Sequence, residues 1–394
     1  MTNTASHATL KTTPLTGLHQ SLGATMVDFA GYSMPLQYPG GIVGEHMQVR
    51  EKAGLFDVSH MGPCLLGLPK AMRDSLEGDE AHQAICALFE PLVCGDLAGL
   101  KPGEMRYTLL LADDGGILDD LMVARPLDDD AQGWLYIVVN AATKDADFQR
   151  ILDKCPDAEL RRLDDQAALL ALQGPAARRV LSQILPETAD MTFMTVQRLF
   201  LDGTPCIVTC SGYTGEDGYE ILIGSEHAEP FAKRLLEHDG VAAIGLGARD
   251  SLRLEAGLCL YGHDMDETKT PVEASLTWAV SKQRREKADF PGAGKILQQI
   301  ADGASMRRVG FRLLDKAPAR EGAQIATRTG EVIGIITSGG HGHFAGFPVA
   351  MGYVPRTYAA VGTELDILVR NKPRAAVVTR MPFVQQNYYR GKEG

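Results

Sequence analysis

The chain has 394 residues, of which 45% are hydrophobic and 23% are charged, and its formal net charge is -11. This length exceeds one ordinary hydrophobic core and predicts two or three. The acidic balance, without any long basic block, argues against nucleic-acid binding. The apolar runs are short and interrupted by glycine or charge, so we expect no transmembrane helix and no membrane partner.

The segments before residue 160 alternate between helix and strand patterns. The turn from Ala112 to Gly116 joins two strands into a hairpin. The predicted helices are 41–53, 69–76, 81–89 and 140–155, and the predicted strands are 55–61, 105–111, 117–123 and 134–139.

The second half of the chain begins like the first and then becomes all-β. We predict strands at 167–172, 207–209 and 219–223, a helix that starts at Gly174-Pro175 and runs through Leu185, and a helix at 227–238. The charged stretch 282–289 is predicted to be a loop that holds the domain boundary. Beyond it, six short strands predict a β-module; they are 309–313, 324–327, 332–337, 350–354, 364–369 and 372–378.

The seven cysteines predict reduced thiols, because their number is odd, their spacing is irregular and no Cys-x-x-Cys occurs. The first residues, MTNTASHATLKTT, lack the apolar core of a signal peptide and the arginines of a transit peptide. We therefore expect a cytoplasmic protein of a bacterium, with a processed mitochondrial form as the alternative.

Two adjacent carboxylates, Asp119 and Asp120, lie inside an apolar strand. Neighbouring side chains of a strand point to opposite faces, so the two cannot act as one dyad, and at least one should face apolar surroundings. Such a carboxylate must be hydrogen-bonded, paired or protonated. Either both residues cap the turn, or one is held beside a ligand nitrogen, and alternation alone does not choose between them.

A glycine-rich loop runs from Gly212 to Gly218 and leads into a strand that carries Glu220. A phosphate loop fits poorly, because no Gly-Lys-Ser/Thr follows and Glu216 and Asp217 would repel phosphate. Glu220 alternates with the apolar residues of the strand, so it is either an edge residue of a hairpin or a buried acceptor for a ligand with two adjacent N–H groups.

Three further groups are candidates for binding or catalysis. Arg249 and Arg253 lie one helical turn apart, so they either clamp a carboxylate or carbonyl or form structural ion pairs. His341 and His343 flank one glycine, a weak metal signal, and we predict no metal. His60 could act as a base, but no nearby Ser or Cys pattern completes a nucleophilic triad.

Seven stretches in chain order resemble the aminomethyltransferase family of the glycine cleavage system, the T-protein family. The resemblance runs from about residue 12 to the end and implies an α+β fold with three lobes in a cloverleaf arrangement, in which a folate-binding body, 1–285, precedes a β-barrel-like domain, 286–394. The matching stretches are FAGYSMP at 29–35, LFDVSHM at 55–61, GGILDDL at 115–121, ALQGP at 171–175, GYTGEDG at 212–218, residues 248–262, and MPFV with NYY at 381–389.

The resemblance implies a reaction and its partners. An aminomethyl group carried on the lipoyl sulfur of the partner H protein gives its one-carbon unit to tetrahydrofolate. The products are 5,10-methylenetetrahydrofolate, ammonia and the dihydrolipoyl H protein. The alternatives are a folate-binding protein of the same fold without transferase activity, or a folate module of a flavin enzyme, for which the chain lacks an N-terminal Gly-x-Gly-x-x-Gly.

The resemblance also implies the site residues. Asp120 matches the key carboxylate that positions and polarises the reacting centre, and Glu220 matches the pterin-binding glutamate. Arg249 and Tyr388 match substrate-binding positions. Tyr107 is left out of the predicted site, because its strand matches the family pattern only loosely. The other positions expected near the folate are Met61, Tyr136, Val138, Asn140, Trp278 and Arg308.

Overall fold

A computed structural model describes residues 10–391, and in that range the chain forms ten α-helices among strands and short 3-10 turns. Most helices are short and lie against sheets. In chain order, α1 to α10 are Thr16–Ser21, Gly41–Glu51, Lys70–Arg73, Gly78–Phe89, Lys144–Lys154, Ala177–Ser182, Ser225–Leu236, Leu246–Glu255, Lys282–Lys287 and Ala293–Asp302.

The described residues contain nineteen strands in four sheets. The first two strands form a small antiparallel sheet, and the other strands form two larger sheets and a closed barrel. In chain order, β1 to β19 are Thr25–Phe29, Tyr32–Gln37, Ala53–Asp57, Gly62–Gly67, Met105–Leu111, Ile117–Ala124, Trp134–Val139, Glu159–Arg162, Ala167–Gln173, Thr195–Leu201, Thr204–Cys210, Gly218–Gly224, Val241–Ile244, Met306–Leu313, Gln324–Ala326, Val332–Gly342, Phe347–Pro355, Glu364–Val369 and Lys372–Thr379.

The predicted α+β class is confirmed, with three lobes built on these sheets. One lobe has six strands in the order β10-β11-β12-β9-β3-β13, in which only β13 and β3 pair in parallel. A second has five antiparallel strands in the order β5-β6-β7-β4-β8, and the third is a closed barrel, β14-β17-β16-β15-β18-β19. Closure removes the unpaired edges that a short-stranded sheet would otherwise expose.

Alternation along β12 gives the six-stranded sheet two different faces. Tyr219, Ile221 and Ile223 enter a core that helices α6 and α7 complete. Leu222 belongs instead to a second apolar cluster, which both large sheets share. Because Glu220 lies between residues of the first set, it shares the face of Leu222 and points toward the five-stranded sheet.

Strand β6 of the five-stranded sheet shows the same division. Leu121 and Val123 are fully buried in the core beneath α4 and α5, and Asp119 has the same parity and is also fully buried. Met122 packs in the cluster between the sheets, and Asp120 shares its face. The two carboxylates that are neighbours in sequence therefore lie on opposite sides of one sheet.

The predicted loop at 282–289 is wrong, because residues Lys282–Lys287 form helix α9. Its third residue explains why. The Arg284 guanidinium, 2% exposed, lies 3.0 Å from the Glu90 carboxylate and 2.9 Å from that of Asp289. These tertiary contacts order a segment whose own pattern is charged and irregular.

Other boundaries differ from the sequence predictions in smaller ways. The helix predicted from Asn140 starts only at Lys144, because residues 141–143 form a turn. The helix predicted to run through Leu185 ends at Ser182. Helices α1 and α10 were not predicted, and neither were several strands, namely β1, β2, β4, β8, β10 and β13.

All seven cysteines are free and buried, as predicted. In the described range, no helix is long and apolar enough to cross a membrane.

Arg284→Ala should lower the free energy of unfolding by about 3–5 kcal/mol, because it leaves the buried Glu90 carboxylate without its cation. Lys282→Ala in the same helix is the matched control. Its side chain is 86% exposed and reaches Glu286 only at 3.8 Å, so we expect a change within about 0.5 kcal/mol. Chemical denaturation measures both, and equal losses would contradict the assignment of Arg284 as the residue that anchors α9.

Candidate active site

A cavity of about 1700 Å³ opens where the three lobes meet. Asp120 lines it from the five-stranded sheet, Glu220 from the six-stranded sheet and Arg308 from the barrel. Since Asp120 and Glu220 lie on the sheet faces that point toward each other, both carboxylates reach the same space. The cavity is therefore built by side chains that are far apart in sequence.

The structure shows which of Asp119 and Asp120 faces the cavity, a choice that strand alternation left open. Asp120 lines the cavity, whereas Asp119 is fully buried behind it. Asn140, at the end of β7, connects them: its Nδ2 donates to Asp119 Oδ1 at 2.7 Å and to Asp120 Oδ1 at 2.6 Å, and its backbone N–H donates to Asp119 Oδ2 at 2.9 Å. Only the NH₂ end of the amide can face two carboxylates, so its orientation is fixed.

Burial and a like charge make Asp120 a weaker acid than usual. Burial raises the pKa of Asp120 to about 7, and the neighbouring Asp119 charge adds to the rise. Burial also raises the pKa of Asp119, while its hydrogen bonds from Asn140 oppose the rise. Asp120 therefore titrates near neutrality, where a proton-transfer or polarising group is most effective.

Tyr107, which we left out of the predicted site, lines the same cavity as Asp120. Burial and the charge of Asp120 raise the pKa of Tyr107, so its hydroxyl stays protonated. The ring packs against Trp278 with centroids 5.1 Å apart. Trp278 also lines the cavity and is 64% exposed, so it extends the aromatic wall to the solvent.

Glu220 is a buried acceptor with few donors. Ser211 Oγ donates to its Oε2 at 3.3 Å, the only hydrogen bond that its carboxylate receives from the described residues. Burial raises the pKa of Glu220, and the positive charge of Arg249 opposes the rise. A carboxylate with unfilled acceptor sites in a cavity favours a ligand that brings its own N–H groups.

The two arginines of α8 differ sharply. Arg253 Nη1 lies 2.7 Å from Asp264, and its Nη2 lies 2.7 Å from Asp250, so it is structural. The Arg249 guanidinium has no hydrogen bond to any described residue, its Nη1 is buried, and it stacks 4.9 Å from the Tyr213 ring. Arg249 alone is therefore available to a ligand.

The remaining predicted site residues fall into two groups. Tyr388 lines the cavity and stacks on Phe193 with centroids 3.9 Å apart. Tyr136 does not line the cavity; it is 3% exposed and packs in the apolar cluster shared by the sheets. The others that line it are Met61, Val138, Asn140, Trp278 and Arg308.

His60 and Tyr213 also line the cavity, although the sequence analysis gave them no place in the predicted site. Burial and the charges of Arg249 and Lys144 lower the pKa of His60 to about 3, so the ring is neutral, and its buried Nδ1 has no partner among the described residues. Tyr213 belongs to the glycine-rich loop, so that motif was the signal that could have identified it.

The glycine-rich loop is braced by buried contacts. Arg50 Nη1 lies 2.8 Å from Glu216, and Arg178 Nε lies 3.0 Å from Asp217, so both acidic side chains point to protein partners. A Cβ on Gly212 would lie 1.8 Å from the Gln173 amide oxygen. Glycine there permits an approach that places Tyr213 beside Arg249.

The cavity lining carries more positive than negative side chains, although the chain as a whole is acidic. It contains four carboxylates, Asp120, Glu220, Asp250 and Glu321, against seven arginines. Of those arginines, only Arg253 forms an ion pair within the described residues. Their full set is Arg106, Arg249, Arg253, Arg307, Arg308, Arg320 and Arg380.

No group of three or more His, Cys, Asp or Glu in residues 10–391 is placed to hold a metal ion. His341 and His343 do approach each other, with ring centroids 5.5 Å apart, and His343 also meets His46 at 5.2 Å. His46 already bonds Ser251 and Glu255 through its two ring nitrogens.

The chain matches two protein-family models, one after the other along the sequence. The model described as the GCVT N-terminal domain covers residues 15–284, and the glycine cleavage T-protein C-terminal barrel domain covers residues 307–385. Among curated relatives, the mitochondrial aminomethyltransferase of Mesembryanthemum crystallinum is 44% identical over 98% of this chain and 92% of its own length. That of Dictyostelium discoideum is 40% identical over 96% and 94%.

A solved structure agrees with these matches. The glycine cleavage system aminomethyltransferase T from Bartonella henselae superposes with a TM-score of 0.87 and is 41% identical, covering 96% of this chain and 99% of that one.

Asp119→Asn should lower the pKa of Asp120 below its value of about 7, because it removes the neighbouring negative charge. Carboxyl ¹³C NMR across a pH series measures the midpoint. Asp250→Asn is the control, since Asp250 also lines the cavity but is 61% exposed and paired with Arg253. An unchanged Asp120 midpoint in the Asp119 variant would contradict the electrostatic account.

Proposed function

This chain belongs to the aminomethyltransferase family of the glycine cleavage system, and we propose that it transfers the one-carbon unit from S-aminomethyl-dihydrolipoyl H protein to tetrahydrofolate. The family models and relatives span nearly the whole chain, and the activity in their names supports the same reaction here. The carbon–sulfur bond to the lipoyl arm breaks, the carbon bridges two folate nitrogens, and the amino group leaves as ammonia.

The observation that best supports this proposal is the placement of Asp120 and Glu220 on facing sheets of one cavity. One carboxylate titrates near neutrality and the other has unfilled acceptor sites. A pterin offers adjacent N–H groups at one edge and reacting nitrogens further along the molecule. Two separated carboxylates in one cavity fit both of these needs.

Asp120 is proposed to orient and polarise the reacting centre. In its ionised form it accepts a hydrogen bond from, or stabilises positive charge on, the folate nitrogens that receive the carbon. Asn140 donates to this carboxyl and holds it in place. Since the pKa of Asp120 is about 7, turnover should rise with pH through that value.

Glu220 and Arg249 are proposed to bind the folate. Glu220 accepts the paired N–H groups of the pterin, which satisfies a carboxylate that protein donors leave mostly free. The Arg249 guanidinium, which makes no hydrogen bond to the described residues, donates to a carbonyl or carboxylate of the substrate. Tyr388, stacked on Phe193, adds an aromatic surface to the same cavity.

The arginines at the cavity are proposed to attract the anionic glutamate portion of folate. Basic residues cluster in the sequence at three places, 282–287, Arg307 with Arg308, and Lys372 with Arg374. Arg307 and Arg308 line the cavity, whereas Arg374 pairs with Asp315 on the barrel. The cavity can therefore be positively charged although the net charge of the chain is negative.

Two broader features are also proposed. We assign the folate-binding body to residues 1–285 and the barrel domain to 286–394.

We further propose a bacterial cytoplasmic location, while the curated relatives named above are mitochondrial. Fractionation of the source cells would separate this location from that of a processed mitochondrial form.

The proposed reaction predicts that ammonia is released from aminomethylated H protein and that tetrahydrofolate accelerates the release. A coupled ammonia assay with and without tetrahydrofolate measures this directly. A folate-binding protein of the same fold without transferase activity would bind tetrahydrofolate and release no ammonia, and that result would overturn the proposal.

Asp120→Asn should reduce turnover by several orders of ten and leave folate binding largely intact, because the amide fills the same space without the charge. Asp119→Asn is the matched control, one residue away on the opposite sheet face, and should reduce turnover much less. Steady-state kinetics and calorimetric folate binding measure both effects. Equal losses of turnover would refute the assignment of Asp120 over Asp119.

Glu220→Ala should weaken tetrahydrofolate binding by about 10- to 100-fold, because the pterin N–H groups lose a charged acceptor. Calorimetry gives the dissociation constant. Glu321→Ala is the control, since Glu321 lines the cavity but is 57% exposed and pairs with His263. Unchanged affinity in the Glu220 variant would exclude the proposed pterin contact.

A further inference from the structure

The last residue of strand β9 places a buried amide at the base of the glycine-rich loop. Gln173 is fully buried and has the same strand parity as Leu169 and Ala171, so its side chain points into the space between the two large sheets. Its cross-strand partner on β12 is Gly218, where the loop 211–218 rejoins the sheet. The amide is therefore in a position to hold this loop from below.

The two ends of the Gln173 amide bond to different parts of the loop. Nε2 donates to the backbone carbonyl of Ser211 at 2.9 Å and lies 3.4 Å from that of Tyr219, and Oε1 accepts from the Thr214 hydroxyl at 2.9 Å. A backbone carbonyl can only accept, so the NH₂ end must face Ser211 and the orientation of the amide is fixed. One side chain thus connects the start, the middle and the end of the loop.

The glycines at the two ends of the loop make room for this amide. A Cβ on Gly212 would lie 1.8 Å from Gln173 Oε1, and a Cβ on Gly218 would lie 2.6 Å from its Nε2. Both distances are far shorter than a van der Waals contact, so a larger residue at either position would displace the amide. The ALQGP stretch at 171–175 and the loop, which are separate motifs in the sequence, therefore pack as one unit.

This unit reaches a ligand-facing carboxylate through Ser211. The Ser211 Oγ lies 2.8 Å from the Thr209 hydroxyl and donates to Glu220 Oε2 at 3.3 Å. The latter is the only hydrogen bond that the Glu220 carboxylate receives from the described residues. Since Gln173 holds the backbone of Ser211, displacement of the amide would move the one protein group that orients Glu220.

We propose that Gln173 is a positioning residue for folate binding: its amide holds the glycine-rich loop so that Ser211 orients the Glu220 carboxylate. The inference rests on the proposed function, in which Glu220 binds the pterin. Gln173 does not line the cavity, so it acts through these residues and does not touch the substrate. Asp120 lies on the other sheet, so the reaction of bound folate should depend little on Gln173.

The first test needs no ligand. Gln173→Met keeps the length of the side chain and removes both polar ends, so the backbone amides of residues 211–218 should exchange with deuterium about 10-fold faster. Gln48→Met is the matched control, because Gln48 also donates to two backbone carbonyls, at 2.9 and 2.7 Å, but lies on α2 outside the cavity lining. It should leave the exchange of 211–218 unchanged. Hydrogen-exchange mass spectrometry of the free chain measures both.

The second test measures folate binding and its dependence on Glu220. Gln173→Met should weaken tetrahydrofolate binding by about 10-fold and change turnover at saturating folate by less than about threefold. In a Glu220→Ala background the same substitution should weaken binding by less than about threefold, because the carboxylate through which Gln173 acts is already absent. Gln48→Met should bind folate as the native chain does. Calorimetry and steady-state kinetics give these values.

Thr214→Val tests the same inference if Gln173→Met does not fold. Thr214 is fully buried and does not line the cavity, and valine has nearly its shape without the hydroxyl. Gln173 Oε1 then loses its donor, while Nε2 keeps its bond to Ser211. We expect about threefold weaker folate binding in the native background and no further loss in the Glu220→Ala background.

The two tests fail separately. Unchanged exchange of residues 211–218 in Gln173→Met would show that the amide does not hold the loop and would overturn the inference, whatever the folate affinity. Unchanged affinity, or an equal loss with and without Glu220, would show that Gln173 is only a packing residue and would overturn it as well. If the native chain does not bind tetrahydrofolate, the proposed function fails, while the exchange test still decides whether Gln173 holds the loop.

Discussion

The site depends on one amide, that of Asn140, which donates from a single nitrogen to Asp119 and Asp120. A strand places these two carboxylates on opposite faces, so no direct contact between them is possible. Asn140 directly follows the end of the neighbouring strand β7, and its side chain reaches both carboxylates. The Asn140 amide thus fixes the position of the Asp120 carboxyl relative to Asp119. The Asp119 charge in turn raises the pKa of Asp120.

The cavity also requires the three lobes to keep their relative positions, and buried ionic contacts hold them there. Glu255, at the end of α8 and fully buried, accepts from His46 and Arg50 of α2 and from two backbone N–H groups of the barrel, at Phe344 and Ala345. Such a carboxylate is costly to bury unless all its partners are present, so it penalises relative movement of the lobes.

Arg253 makes a second link of the same kind, because it joins Asp264 to Ser338 of the barrel. Arg249, one turn earlier on the same helix, has no such partner among the described residues. One helix therefore supplies both a structural and a binding arginine. The spacing of four residues could not distinguish their roles, since both lie on one face and only the tertiary partners differ.

The sequence predicted what local patterns determine. The hairpin at 112–116 and the barrel strands follow from alternation and turn residues, and Glu220 was placed on the correct face by parity. Alternation alone could not choose between Asp119 and Asp120, because that depends on which face of β6 meets the helices; the choice of Asp120 came from the family resemblance. Helix α9 was not predicted, because it depends on the tertiary contact of Arg284 with Glu90. The position of Tyr107 in the cavity was not predicted either, because it depends on the register of β5 against β6.

The most direct test of this account is a crystal structure of the chain with tetrahydrofolate. We expect the N–H edge of the pterin on the Glu220 carboxylate and the reacting nitrogens beside Asp120. The Asn140 amide should still donate hydrogen bonds to Asp119 and Asp120. A folate bound with its pterin away from Glu220, or with Asp120 out of reach of those nitrogens, would contradict it.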